Sequence, residues 1–150
     1  MHRPRFMLMK SGVSRFMLAS SVMPLGGLDT TRGCILLVED EPLIRLFLGD
    51  ELRDAGYQVI EAATADEAMV LLDSLVPDLV ISDVRMPGSL DGIGLLAQIK
   101  GTFPAMPVII TSGHSEPSVA LANGATKFIR KPYLVGEIVE IVQDELARKP

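Results

Sequence analysis

From Gly33 onward, apolar and polar positions fall into two alternating patterns. Short apolar runs bounded by turn residues read as strands buried on both faces of a parallel sheet. Between them lie longer stretches in which apolar residues recur every three or four positions, the mark of amphipathic helices. Cys34-Ile35-Leu36-Leu37-Val38 is the first strand. Pro42 then stands where a first helical turn tolerates proline. Leu43, Ile44, Leu46, Phe47, Leu48 and Leu52 follow at helical spacing, and Gly56 supplies the stop. Residues 57–61 form a second strand, and Thr64-Ala65-Asp66-Glu67 opens a second helix in capping-box fashion. That helix runs through Ala68, Leu71 and Leu72 toward Pro77.

The third strand, residues 79–82, runs straight into Asp83, and Pro87-Gly88 marks the loop after it. A helix through Leu95, Leu96 and Ile99 follows, then a strand at 107–113 and a fifth at 126–130 that ends at Lys131-Pro132. A last helix at about 134–147 carries Ile138, Ile141, Val142 and Leu146 on one face. Strictly alternating strands and helices imply right-handed crossovers, a parallel five-stranded sheet and helices on both faces, an α/β architecture.

Composition narrows the choices. A chain of 150 residues suits one domain with a real core. A single cysteine, Cys34, excludes an intramolecular disulfide and any multi-cysteine zinc site, and it reads as a small apolar residue at a strand start. Two histidines leave little for a histidine metal site. A formal charge of −5 gives the whole chain no electrostatic case for nucleic acid, and no apolar run approaches membrane-spanning length. Charge also draws the one boundary. Residues 1–32 carry Arg3, Arg5, Lys10, Arg15 and Arg32 against Asp29, a net +4 that leaves −9 on the remainder. Residues 1–32 read as a disordered basic extension and 33–150 as the folded domain. A membrane- or partner-binding amphipathic helix is the sharper alternative for the tail; its apolar runs are too broken for a secretory signal.

The chemistry lies at strand ends. Strand one ends in Glu39 and Asp40, strand three in Asp83, strand four in Thr111 and strand five in Lys131. Parallel strands present their carboxyl ends on one edge, where open α/β sheets place their sites. The set suits Asp83 as a nucleophile that accepts a phosphoryl group. A carboxylate attacking phosphate needs its charge repulsion relieved, which Mg²⁺ does, and Mg²⁺ takes one or two carboxylates plus water. Asp40 and Asp83 are candidate direct ligands, Glu39 one acting partly through water, and the Arg85 carbonyl a main-chain ligand. Lys131 can pair with phosphate oxygens and Thr111 can donate its hydroxyl to one. Alone, each residue has a plain reading: an acid at a helix start, a strand-end hydroxyl, a solvated lysine, a core phenylalanine. The combination in order is what carries weight. His114, a loop histidine without an orienting partner, reads as structural or as a minor neighbour of the site rather than as a phosphate carrier.

Glu39-Asp40 in Leu-Leu-Val-Glu-Asp-Glu-Pro, Asp83 in Ser-Asp-Val-Arg-Met-Pro-Gly, Thr111 in Ile-Thr-Ser-Gly and Lys131 in Arg-Lys-Pro-Tyr make residues 34–147 resemble the CheY-like receiver domain of two-component response regulators. The resemblance implies a flavodoxin-like doubly wound fold. It implies phosphorylation of Asp83 by a histidine kinase or histidine phosphotransfer protein. Mg²⁺ is the expected cofactor, the cytoplasm the expected location, and neither nucleic acid nor a membrane is an expected partner. It also implies that Thr111 and Phe128 form a switch, with Tyr133 a second aromatic on the output side, acting on a downstream protein. Only Arg148-Lys149-Pro150 follows the last helix, so a stand-alone module without an output domain is expected.

Three departures stand out. Glu39 replaces the family's usual aspartate, Ser89-Leu90 lengthens the loop after Gly88, and residues 115–124, with Pro117 near their start, are short for a fourth helix. A shortened fourth helix is expected, and pairing through that face is in doubt. The competing classes are an aspartyl-phosphate phosphatase, a phosphate sink in a relay, a nucleotide-binding α/β domain and a degenerate receiver. The phosphatase reading lacks a second acid two residues after Asp83, where Arg85 stands. The nucleotide reading lacks a Gly-x-Gly-x-x-Gly or Walker lysine, and the complete acid site counts against a degenerate receiver.

Overall fold

The structure, a computed structural model, describes residues 32–148. The expected disordered extension lies outside the described residues except for Arg32. Arg32 itself belongs to the domain. Its N–H donates to the Gly56 carbonyl at 2.9 Å, and its guanidinium stands 6.0 Å from the centroid of the Tyr57 ring.

Five strands form one parallel sheet: β1 (Cys34–Val38), β2 (Gln58–Ala62), β3 (Leu79–Asp83), β4 (Val108–Ser112) and β5 (Lys127–Arg130). They lie in the order β2-β1-β3-β4-β5. Five helices alternate with them: α1 (Pro42–Asp54), α2 (Ala65–Leu72), α3 (Gly92–Thr102), α4 (Pro117–Ala122) and α5 (Val135–Ala147). This is the flavodoxin-like α/β fold. Strands β1, β3 and β4 are buried along their whole length; β1 is apolar throughout, whereas β3 and β4 are apolar up to buried polar ends at Ser82-Asp83 and Thr111-Ser112. Successive residues of each strand feed two cores. Leu36, Val38, Val80 and Ile110 join Ala68, Leu95, Leu96 and Ile99 on the α2–α3 side. Ile35, Leu37, Ile81 and Ile109 join Leu48, Leu52, Ile138 and Val142 on the α1–α5 side.

The helix boundaries follow local chemistry. Thr64 Oγ1 accepts the Glu67 N–H at 3.0 Å at the head of α2. The returning Glu67 carboxylate takes the Ala63 N–H at 2.7 Å, one residue upstream of the cap, so the box is displaced by one position. Asp91 caps α3 by accepting the Gly94 N–H at 2.8 Å. Helix α4 has six residues with proline in its first turn and no side-chain cap, the abbreviated helix expected. On α1, Leu48 and Leu52 face the core, whereas Leu43, Leu46 and Phe47, at helical spacing with them, are exposed.

The connection from β3 into α3 is tight. Gly92 N–H donates to the Val84 carbonyl at 2.8 Å, and a Cβ on Gly92 would run into the Asp83 carbonyl and the Val84 Cα. Only glycine lets α3 start this close to the end of β3. Gly101, on the same helix, would meet nothing with an added Cβ. Gly92→Ala is therefore expected to lower unfolding free energy by about 2 kcal/mol through overpacking. Gly101→Ala should raise it by about 0.5–1 kcal/mol. Urea unfolding of the two variants beside wild type measures both.

Candidate functional site

The carboxyl ends of β1 and β3 lie side by side at the centre of the sheet, with Val38 in register with Ser82. Glu39 and Asp40 leave β1 there and Asp83 closes β3, so three acids meet at the point where strand order reverses. Glu39 and Asp83 are buried and Asp40 is half-buried. One carboxylate oxygen from each lies within 4.8 Å of the other two. Lys131 reaches this group from beyond β5, its own N–H donating to the Ser112 carbonyl at 3.0 Å. Its Nζ donates to Glu39 Oε1 at 3.0 Å and to Asp83 Oδ2 at 3.1 Å. The remaining oxygens are partly used: Asp83 Oδ1 accepts the Val84 N–H at 2.8 Å, and Glu39 Oε2 accepts the Glu41 N–H at 3.1 Å.

Burial and charge act on these groups in opposite senses. Burial raises the Glu39 carboxyl above its ordinary value. Its bonds from Lys131 and Glu41 pull it down, and the Asp83 charge pushes it further up; the net is upward. Burial works to lower the Lys131 ammonium, but its bonds to Glu39 and Asp83 outweigh that and hold it above an ordinary lysine. Three carboxylates against one ammonium leave an excess of negative charge. Oxygen donors this close together could hold a small divalent cation through Glu39, Asp40 and Asp83.

An open cleft of about 610 Å³ stands over the acids. Asp40, Asp83, Arg85 and Lys131 form its polar side, Ser112, Gly113 and His114 its rim, and Ile44, Phe47, Pro132, Tyr133 and Val135 an apolar wall. Thr111 is buried, in register with Asp83, and its carbonyl accepts the Val84 N–H at 3.1 Å. Arg85 is exposed at the cleft. The two aromatic residues part company. Phe128 packs on the α2–α3 core with the Arg130 guanidinium 5.3 Å from its ring centroid. Tyr133 packs on the α1–α5 core. Its hydroxyl oxygen is buried, so the expected output-side residue is found as part of the cleft wall, its ring drawn in by apolar packing.

Sequence reasoning missed several supports. Arg45 Nη1 donates to the Glu39 carbonyl at 2.7 Å, tying α1 to the acid pair. Ser89 donates to Asp66 through its N–H at 3.1 Å and its hydroxyl at 2.7 Å, so the lengthened loop is clasped to the first turn of α2. Ser112 Oγ accepts the N–H groups of His114 and Ser115 at 3.1 and 2.9 Å, and Arg130 holds the Ser115 carbonyl at 3.1 Å. Asp66, Ser89, Ser112 and Arg130 stand inside stretches the sequence marks, but nothing in their spacing says which groups they bond, and Arg45 carries no signal at all.

Comparison with known proteins gives one consistent answer. Residues 35–143 match the family model of the response regulator receiver domain. The chain is 37% identical over 115 residues to the DNA-binding transcriptional regulator NtrC of Salmonella typhimurium, covering 75% of this chain and 24% of that protein. It is 38% identical over 116 residues to the nitrogen assimilation regulatory protein NtrX of Azorhizobium caulinodans, covering 75% and 26%. The chain thus spans about a quarter of the length of the curated relatives it matches. Among solved structures, the receiver domain of NtrX from Brucella abortus superposes with a TM-score of 0.72 at 34% identity, covering 77% of this chain and 99% of that one.

The raised Glu39 carboxyl makes folding stability depend on pH. A carboxyl with a folded value above its ordinary 4.5 binds its proton more tightly in the folded state, so stability falls as pH rises through that range. Glu39→Gln, permanently in the neutral form, should therefore melt higher than wild type at pH 7 without metal. The difference should shrink toward zero below pH 4.5, where both side chains are neutral in either state. Calorimetric melting temperatures of both proteins from pH 4 to 8 check this.

Proposed function

The chain belongs to the response regulator receiver family, and on that premise we propose that it is a phosphorylation-controlled module of a two-component phosphorelay, operating in the cytoplasm. The donor is a histidine kinase or histidine phosphotransfer protein. A carboxylate oxygen of Asp83 attacks the phosphorus of the donor phosphohistidine. The new P–O bond forms as the P–N bond breaks, and the imidazole nitrogen keeps the electron pair and takes up a proton. Glu39, Asp40 and Asp83, with the Arg85 carbonyl, would hold Mg²⁺, which when bound offsets the repulsion between carboxylate and phosphate. Lys131 keeps Asp83 Oδ2 in a charged hydrogen bond before transfer and can follow the phosphoryl oxygens afterwards. Thr111, in register with Asp83, is the candidate hydroxyl donor to the same group.

The observation that carries this reading is the Lys131 ammonium held between Glu39 and Asp83 at the point where Asp40 joins them. The acyl phosphate adds a dianion to the site, and two or three charge-assisted bonds to it supply the few kcal/mol that a population shift requires. Phe128, on the core face opposite Tyr133, is the aromatic proposed to respond and so alter affinity for a downstream protein. The NtrC relative is named a DNA-binding transcriptional regulator; for this chain the downstream partner is a protein. Turnover as a phosphatase is disfavoured by exposed Arg85 at the position where such an enzyme needs a second acid.

Incubation with radiolabelled acetyl phosphate and Mg²⁺ should label the wild type with a base-labile phosphate, and Asp83→Asn should take up none. Label persisting on Asp83→Asn would identify another acceptor and overturn the assignment.

A further inference from the structure

Tyr133 lines the same cleft as Asp40, Asp83 and Lys131. Among the described residues its hydroxyl is the one buried side-chain oxygen or nitrogen without a hydrogen-bond partner. An unpaired buried hydroxyl is costly, and proteins keep one where something else completes it. The surroundings say what that is. The hydroxyl lies in the electric field of Glu39, Asp83, Glu41 and Lys131, and burial together with the Glu39 carboxylate pushes it up to about 12. It therefore keeps its proton at neutral pH and acts as a donor. The acid oxygens nearby already take donors from Lys131, Glu41 and Val84. A new acceptor entering the cleft would find Tyr133 free to donate. The ring is fixed by packing on the α1–α5 core, so the hydroxyl has little freedom to lose on making that bond.

We propose that Tyr133 is a further binding residue of the site, its hydroxyl donating a hydrogen bond to an oxygen of the phosphoryl group carried by Asp83. This rests on the phosphoacceptor reading and gives the phosphoryl group a contact on the α1–α5 wall. Tyr133 thereby couples phosphorylation to the cleft wall that it forms with Ile44, Phe47 and Val135.

The test uses beryllofluoride with Mg²⁺ as the phosphoryl probe on the full chain, wild type beside Tyr133→Phe. The variant keeps the ring and its packing. Without probe its melting temperature should equal or exceed that of wild type, because the lost hydroxyl had no partner. Its affinity for beryllofluoride should be about tenfold weaker, the value of one hydrogen bond to a charged acceptor. Wild type should also show a tyrosine ultraviolet difference band on adding the probe, absent in Tyr133→Phe. Equal affinity with no difference band would overturn the proposal. Failure of wild type itself to bind the probe or take label would strike at the phosphoacceptor reading first and remove this inference with it.

Discussion

A single ammonium group between two buried carboxylates is the interaction on which the arrangement of this site depends. Lys131 is bound to Glu39 and Asp83 at 3.0 and 3.1 Å, with all three side chains largely withdrawn from water. Burying such charges is expensive, and each is tolerable only while its partner is present. Asp40 adds a third acid within reach. One cation against three anions leaves the site short of positive charge. That deficit is what a divalent cation would make good; the Glu39 carboxyl itself is raised chiefly by burial, with the Asp83 charge adding to it against the pull of Lys131 and the Glu41 N–H.

The fold assembles this charge group from segments far apart in sequence. Lys131 meets Glu39 across 92 residues and Asp83 across 48. No local structure could do this; the parallel sheet does, because it brings all strand ends to one edge. The order β2-β1-β3-β4-β5 sets β1 and β3 side by side at the reversal point, and helices diverge from there to either face. Gly92 lets α3 begin hard against the Asp83 carbonyl. Arg45, the Asp66–Ser89 clasp and the Ser112 hydroxyl then fix the loops that surround the acids. The open side of the site is walled by apolar residues of α1 and of the segment leading into α5.

Much of this was legible in the chain itself. The strands were plain because buried parallel strands are short apolar runs: Cys34–Val38 is nothing else, and in β3 Leu79–Ile81 leads straight into Ser82 and Asp83. The meeting of these charged side chains was plain because parallel strands bring their carboxyl ends to one edge, where Glu39, Asp40, Asp83 and Lys131 stand. What escaped were relations with no periodic signature. Leu43, Leu46 and Phe47 share the helical spacing of Leu48 and Leu52, yet α1 turns them outward, since one helix face can meet the sheet only once. Tyr133 is an aromatic two residues past the lysine, and nothing in its position says that its hydroxyl is buried without a partner. The Asp66–Ser89 clasp joins residues 23 positions apart whose types are ordinary loop and helix-start choices.

If the Lys131 ammonium is what makes the three acids tolerable, replacing it with an apolar side chain of similar length has a paired consequence. The most direct measurement is the melting temperature of Lys131→Met, without metal and across a Mg²⁺ titration at pH 7. The metal-free variant should lose about 3 kcal/mol of stability. Mg²⁺ should restore most of that loss and bind more tightly than it does to wild type. A variant as stable as wild type without metal, with Mg²⁺ affinity unchanged, would show that the acids do not depend on Lys131 and would contradict the account.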